Sequence, residues 1–356
     1  MANTHSLFQI YNQAIKLSEP DRDKLRNERN LLRNRIRSSY LSLPERERMT
    51  HNLEFQSQGS YVMDTIIKPY KTDFDLDDGV YFIGGLPRAQ RPETKIFHEA
   101  IIKAIDINHD NEVIVDKATC VRVKCKDQNE GLKFHIDLPI YYSENFETPE
   151  LAHKEESWIE SSPVEFIAWF EEKAKSGFSR SFFYERAKYY DKYKEWSSDI
   201  RKNDCQLRRV VRYLKSWADL KRDEMPCGII MSILAANNYA EDLRDDISLK
   251  ETLKKILKDL EINNFTCLRP TPKADEDLFK TTSVKDKLFF RNALEDFIIS
   301  AQMAVENPNP KEACLKWKRH LGDKFPCHLA KDEIEGSKVY AAPAIKQDNS
   351  TSALNA

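Results

Sequence analysis

Apolar residues recur at helical spacing over the first fifty positions. Leu7, Ile10, Tyr11, Ala14 and Ile15 share one helical face. Ser18-Glu19-Pro20-Asp21 then supplies a helix start, with Ser as cap, Pro in the first turn and acids near the positive end of the dipole. The helix that follows carries Leu25, Leu32 and Ile36 on one side. Arg22, Arg26, Arg29, Arg33 and Arg37 occupy its other faces, which reads as a solvated surface or as one wall of a phosphate-binding groove. From Phe55 to Tyr142 the pattern is mixed. Residues 93–107 read as a helix, with Ile96, Phe97, Ala100, Ile101 and Ala104 at helical spacing, and 113–115, 118–126 and 132–141 read as strands. In the last strand Phe134, Ile136, Leu138 and Ile140 alternate onto one face and leave His135 and Asp137 on the other. From Pro163 onward the chain reads as nearly all helix, most clearly at 163–175, 205–221, 229–240 and 285–305. After Phe325-Pro326 the periodicity fades into Ser, Ala, Asn and Lys, and residues 331–356 are expected to be flexible.

These elements predict an α+β architecture in four parts. Helices at 1–50 pack on the rest, a core at 51–150 holds a helix-flanked mixed β-sheet, a helical lobe spans 151–330, and a tail spans 331–356. With 40% apolar and 32% charged residues, the 356-residue chain has material for a buried core and is not a disordered one. Lys plus Arg is 56 against 58 for Asp plus Glu, a balance that argues against a general polyanion binder but leaves room for a local basic groove. The longest apolar-leaning stretch, 228–236, is far short of the about 20 residues a membrane span needs. The first residues lack a secretory pattern, so a cytoplasmic protein is expected. Seven Cys with no C-x-x-C spacing read as free thiols.

Candidate chemistry begins at Asp75-Leu76-Asp77. In extended backbone the two carboxylates share a face, and side by side they repel unless a divalent cation neutralises them. Asp137, on the polar face of a later strand, offers a third. Three convergent carboxylates suit two Mg²⁺ ions about 3.5–4 Å apart. An EF-hand calcium loop starting at Asp73 fails, because Asp78 and Gly84 stand where Gly and Glu are required. Gly59-Ser60 supplies close backbone approach and a hydroxyl for a triphosphate. Asp78 reads as a turn stabiliser beside Gly79 and His135 as a structural neighbour of Asp137. Arg208, Arg212 and Lys215 form a basic stripe beside the apolar face of their helix, which by periodicity alone is a solvated flank.

The order Gly-Ser, then D-x-D, then a lone Asp on a later strand is the layout of the nucleotidyltransferase fold shared with DNA polymerase β. More closely, Gln58-Gly59-Ser60, Asp75-x-Asp77-Asp78-Gly79-x-Tyr81, Thr119-Cys120-x-Arg122-x-Lys124 and His135-Ile136-Asp137-x-Pro139 resemble the bacterial cGAS/DncV-like nucleotidyltransferases (CD-NTases), and among them the DncV-like cyclic dinucleotide synthases. Trp158-Ile159-x-Ser161-x-Pro163, Val211–Trp217 and Trp317-x3-Leu321-Gly322-x2-Phe325-Pro326 continue the resemblance downstream.

That resemblance implies a polymerase-β-like core with a C-terminal helical lobe. It implies a catalytic, metal-binding triad of Asp75, Asp77 and Asp137 using two Mg²⁺ or Mn²⁺ ions. Gln58, Gly59 and Ser60 would hold the donor triphosphate, with Arg122, Ser161 and Lys215 as further nucleotide contacts. The implied activity joins NTPs, ATP and GTP by analogy, into a cyclic di- or trinucleotide messenger with release of pyrophosphate, in bacterial anti-phage (CBASS) signalling. A downstream effector would read the product, and a ubiquitin-transfer-like partner would conjugate the C-terminal Ala356. Pro226-Cys227-Gly228 departs from the family by replacing a Ser pair, and no zinc insertion for DNA sensing is present. The alternatives are a polymerase-β-fold transferase acting on RNA or a small molecule, and a non-catalytic nucleotide-binding protein.

Overall fold

A computed structural model describes residues 2–331 apart from 46–47, 51–52, 71–72, 107–112, 126–133, 222–223 and 272–274. All of the expected flexible tail after Lys331, Ala356 included, therefore lies outside the described residues. Two helices open the chain, α1 (His5–Ile15) and α2 (Glu19–Ser42). Ser18 caps α2 by accepting from the Asp21 amide at 3.3 Å, with Pro20 in the first turn as the sequence predicts. On α1 the buried stripe runs through Leu7, Phe8, Tyr11 and Ile15, while Ile10 and Ala14 face outward. Phe8 decides this, because it packs edge-on against Tyr213, Trp317 and Phe325 from the far end of the chain.

The sheet comprises β1 (Leu53–Ser57), β2 (Phe74–Ile83), β3 (Val113–Asp116), β4 (Cys120–Cys125), β5 (Phe134–Ser143), β6 (Glu150–His153) and β7 (Ser157–Glu160). Its order is β1-β2-β5-β4-β3, with β6 pairing β5 and β7. The β2–β5 pair is parallel and the others are antiparallel, so the sheet is mixed, as expected. A short helix, α3 (Gly59–Val62), follows β1, and α4 (Thr94–Asp106) packs on the sheet through Phe97, which meets Phe82 and Trp158 edge-on. The apolar face of β5 is buried as its alternation requires, and His135 and Asp137 are buried on the other face as well.

Two readings of polar residues are corrected here. Much of the arginine-bearing surface of α2 is turned inward: Arg22 is 4% exposed and pairs with Asp64, Arg29 Nη1 donates to Ser57 Oγ at 2.6 Å, and Arg33 forks onto Asp78. Asp78 is no turn residue, because β2 runs straight through Asp78-Gly79. Its carboxylate is fully buried on the sheet face opposite Asp75 and Asp77, taking Arg33 and the Ser57 hydroxyl (2.9 Å).

The rest is helical: α5 (Pro163–Lys173), α6 (Ser181–Tyr184), α7 (Arg186–Lys202), α8 (Gln206–Lys221), α9 (Gly228–Asn238), α10 (Asp245–Ile262), α11 (Val284–Glu306) and α12 (Pro310–Leu321). The α8 helix lies at the centre, with Leu207, Val210, Val211, Leu214 and Trp217 buried. Two members of its basic stripe, Arg208 and Arg212, are buried too. Arg208 forks onto Glu171 at 3.0 and 2.5 Å, and Arg212 Nε donates to Asn12 Oδ1 at 2.9 Å while its Nη groups pair with Asp204 and Asp64. The solvated-flank reading fails because elements distant in sequence cover α8 with matching acids. Asp64, at φ +52°, thereby gathers Lys16, Arg22 and Arg212 and pins the segment just after α3. The cysteine reading is also corrected in part: the chain reversal at Gly322 brings Cys327 back onto α12, where it is disulfide-bonded to Cys314, whereas Cys120, Cys205, Cys227 and Cys267 are free. No helix among the described residues is long and apolar enough to cross a membrane.

Candidate active site

Strand pairing builds the acidic centre. The parallel β2–β5 register sets Asp75 opposite His135 and Asp77 opposite Asp137, all on one face by the two-residue side-chain period. His135 Nε2 stands 2.9 Å from Asp75 Oδ1. Ligand atoms of Asp75, His135 and Asp137 lie within 4.8 Å of one another, a spacing a single cation can bridge. Asp77 lies on the same face, half-buried and outside that group of three. No cation among the described residues lies within ion-pairing distance of it, and burial together with the charges of Asp75 and Asp137 pushes its carboxyl well above the ordinary value.

The start of α3 closes on this carboxylate. The Gln58 amide donates to the Asp77 carbonyl at 3.1 Å, and Gly59 takes φ +63°. A Cβ built on Gly59 would overlap Asp77 Oδ2, so glycine is required for space as well as for conformation. Ser60 lines a cleft of about 380 Å³ together with Thr65, Asp75, Lys215, Cys227 and Gly228. Gln58 is turned away from it, its Nε2 donating to the Tyr141 hydroxyl at 3.1 Å.

From the helical lobe, Lys215 reaches the carbonyl and hydroxyl oxygens of Thr65, both at 3.3 Å. Burial brings its ammonium down to about 8, with Asp77 and Asp75 opposing that shift. Gly228 lies against the Lys215 stem, so Pro226-Cys227-Gly228 offers the cleft a thiol and no hydroxyl where the resemblance led us to expect serines. Arg122, for which the resemblance implies a nucleotide contact, pairs across the β4–β5 ladder with Asp137, Nε to Oδ1 at 2.6 Å and Nη2 to Oδ2 at 2.7 Å. Burial would raise Asp137, but this fork and Lys117 hold it below the usual carboxylate value. Ser161 is not on the 380 Å³ cleft. It lines a separate cavity of about 540 Å³ beside Arg91, Glu160 and Ser162.

His135, read from its parity as a neighbour of Asp137, also stands beside Asp75. Two participants escaped the sequence reading: Lys117, whose Nζ lies 3.2 Å from Asp137 Oδ2, and Asp64 carry no local signal.

A mixed sheet with aspartates on adjacent strands, a Gly-Ser helix start and a lysine from a helical lobe defines the nucleotidyltransferase class. Residues 53–141 match the family described as cyclic GMP-AMP synthase DncV-like, nucleotidyltransferase domain. The chain is 25% identical over 322 residues to a cyclic GMP-AMP synthase of Escherichia coli, covering 82% of this chain and 71% of that one. It is 28% identical over 229 residues to a c-di-GMP synthase of Roseivirga ehrenbergii, covering 61% of this chain and 56% of that one. The fold superposes on Vibrio cholerae DncV in complex with a linear intermediate, with TM-score 0.69 and 18% identity over 91% of this chain and 96% of the other. These likenesses bear out the α+β nucleotidyltransferase fold and the resemblance to the bacterial cGAS/DncV-like group. Residues 53–141 thus carry a nucleotidyltransferase domain of the DncV-like kind, and the chain as a whole is similar to cyclic dinucleotide synthases.

Proposed function

We propose that this enzyme joins ATP and GTP through two successive phosphodiester bonds into a cyclic dinucleotide, releasing one pyrophosphate at each step. The observation that carries the reading is the convergence, on one sheet face, of Asp75, Asp77 and Asp137 beside the Gly59-Ser60 turn and Lys215. The donor set fits a divalent cation: oxygens of Asp75 and Asp137 and a ring nitrogen of His135 gather within 4.8 Å, and Asp77, half-buried beside them on the same face, has no cation partner among the described residues. Asp75, Asp77 and Asp137 would hold Mg²⁺ or Mn²⁺. When bound, such ions lower the pKa of an attacking sugar hydroxyl and neutralise charge on the leaving pyrophosphate.

The protein's own residues do the positioning. Ser60, at the start of α3, lines the cleft where a triphosphate would lie, and Lys215 on the same cleft supplies a compact positive charge. Thr65 holds the Lys215 ammonium in place, and the buried ion pairs at Asp64 fix the segment that carries Thr65. Orientation of this kind accounts for a large share of rate enhancement in phosphoryl chemistry. By resemblance, the cyclic product would act on a cytoplasmic effector in anti-phage signalling.

Incubating the purified chain with Mg²⁺ or Mn²⁺ and radiolabelled NTPs tests the reading. A phosphatase-resistant small product, identified as cyclic by mass spectrometry, is expected. Label found only in RNA, or no turnover at all, would contradict it.

A further inference from the structure

The two oxygens of Asp137 that a cation needs are both engaged. Arg122 stands directly across the β4–β5 ladder and lays its planar fork on them at 2.6 and 2.7 Å, while its Nη2 also comes within 3.7 Å of Asp75 Oδ1. Lys117 approaches Oδ2 from the same strand connection at 3.2 Å. The Asp137 side chain is 10% exposed, so little room remains for a cation beside the guanidinium. Of the three aspartates only Asp77 lacks such a partner among the described residues.

We infer that Arg122 is a displaceable plug of the metal site, occupying the Asp137 carboxylate until a nucleotide's phosphates draw its guanidinium away. This rests on the metal-dependent reading above. The chemistry is a swap of partners. A guanidinium fork matches phosphate as well as carboxylate, so a bound triphosphate offers Arg122 an equivalent anion close by. The carboxylate it leaves must then find another cation, and the divalent ion supplies it. Metal and nucleotide binding are therefore positively coupled, and linkage requires each to strengthen the other by the same factor. The arrangement also keeps the carboxylates compensated while the cleft is empty. Arg122 is a positioning residue in this scheme and is not asked to touch the reacting atoms.

The test measures Mn²⁺ binding by the full chain, from the EPR signal of free Mn²⁺, with and without a non-hydrolysable GTP analogue. For the unsubstituted protein, the analogue should tighten Mn²⁺ binding by about tenfold or more. Arg122→Gln should bind Mn²⁺ about tenfold more tightly without analogue and gain little from adding it. Arg122→Lys, which keeps charge but loses the fork, should fall between and guards against a folding defect in the first variant. Equal Mn²⁺ affinity in all three proteins, with the same gain from analogue, would overturn the plug while leaving the metal site standing. Absence of Mn²⁺ binding to any of them, with or without analogue, would overturn the metal-dependent reading and the plug together.

Discussion

Gly59 and Asp77 occupy complementary space: the position a Cβ would take on Gly59 is filled by the Asp77 carboxylate, and the Gly59 backbone is left-handed at φ +63°. One residue of the turn that carries Ser60 thus sets where the Asp77 carboxylate sits. Gly59→Ala meets both constraints at once. Backbone strain costs ~1–2 kcal/mol, and Asp77 must shift. Displacement of a reacting group by about an ångström can lower turnover roughly 100-fold. The variant should stay folded by circular dichroism while product formation falls by about that factor; near-normal turnover would show that the turn does not position Asp77.

Asp77 and Asp137 should respond oppositely to amidation, although both are expected to be essential. Burial and its acidic neighbours raise the Asp77 carboxyl, so its proton is held more tightly in the folded chain than in the unfolded one. The metal-free protein then loses stability as pH rises above the ordinary carboxylate range, the favourable term being present only at low pH. Asp77→Asn should raise the metal-free Tm at neutral pH and flatten that part of the pH profile, while abolishing product.

Asp137 is the converse case. Burial is outweighed by Arg122 and Lys117, its folded pKa is depressed, and its contribution is present above the unfolded value and lost as pH falls through the folded one. Asp137→Asn removes the charge and one of the two acceptor oxygens of a charged fork and should cost roughly 1.5–3 kcal/mol at neutral pH. Thermal melts in chelator separate the pair: a Tm that rises for Asp77→Asn and falls for Asp137→Asn is expected, and equal falls would contradict the assigned electrostatics.

Lys215 gives a pH dependence in the working range. With its ammonium brought down to about 8, the free enzyme loses this charge as pH passes that value, and triphosphate affinity should weaken. The KM for NTP should climb above about pH 8 with kcat less affected, and Lys215→Met should raise KM at pH 7 and remove the climb. Linkage adds an independent readout. The unfolded chain binds the extra proton between about 8 and 10.5, so stability rises with pH over that window in the parent protein and does so less in the variant.

Asp64 tests the support beneath the cleft. It is 2% exposed and shared by Lys16, Arg22 and Arg212. Asp64→Asn leaves buried guanidinium groups short of an anion, which costs about 3–5 kcal/mol for a buried pair. A Tm loss of less than a couple of degrees would show that the network is dispensable.

What the sequence disclosed was set by whether the partner of each residue lies nearby. The β5 alternation placed Phe134–Ile140 and Asp137 on the correct faces, because a strand's period depends on nothing outside it. The Ser18 cap was legible for the same reason. Asp78 was misread because Asp-Gly is a turn signal locally, while its true partner, Arg33, is 45 residues away. Arg208 and Arg212 look like a wet flank until Glu171, Asp204 and Asp64 arrive from other elements. The pairing of Arg122 with Asp137 across the ladder depended on a register that spacing alone does not fix.

The most direct measurement is anomalous scattering from a crystal of the chain grown with Mn²⁺ and a non-hydrolysable nucleoside triphosphate. Two manganese peaks about 3.5–4 Å apart, both within coordination distance of the aspartates at 75, 77 and 137 and touching the triphosphate on the Ser60 side, are predicted. A triphosphate seated elsewhere, or bound with no metal at those carboxylates, would contradict the account.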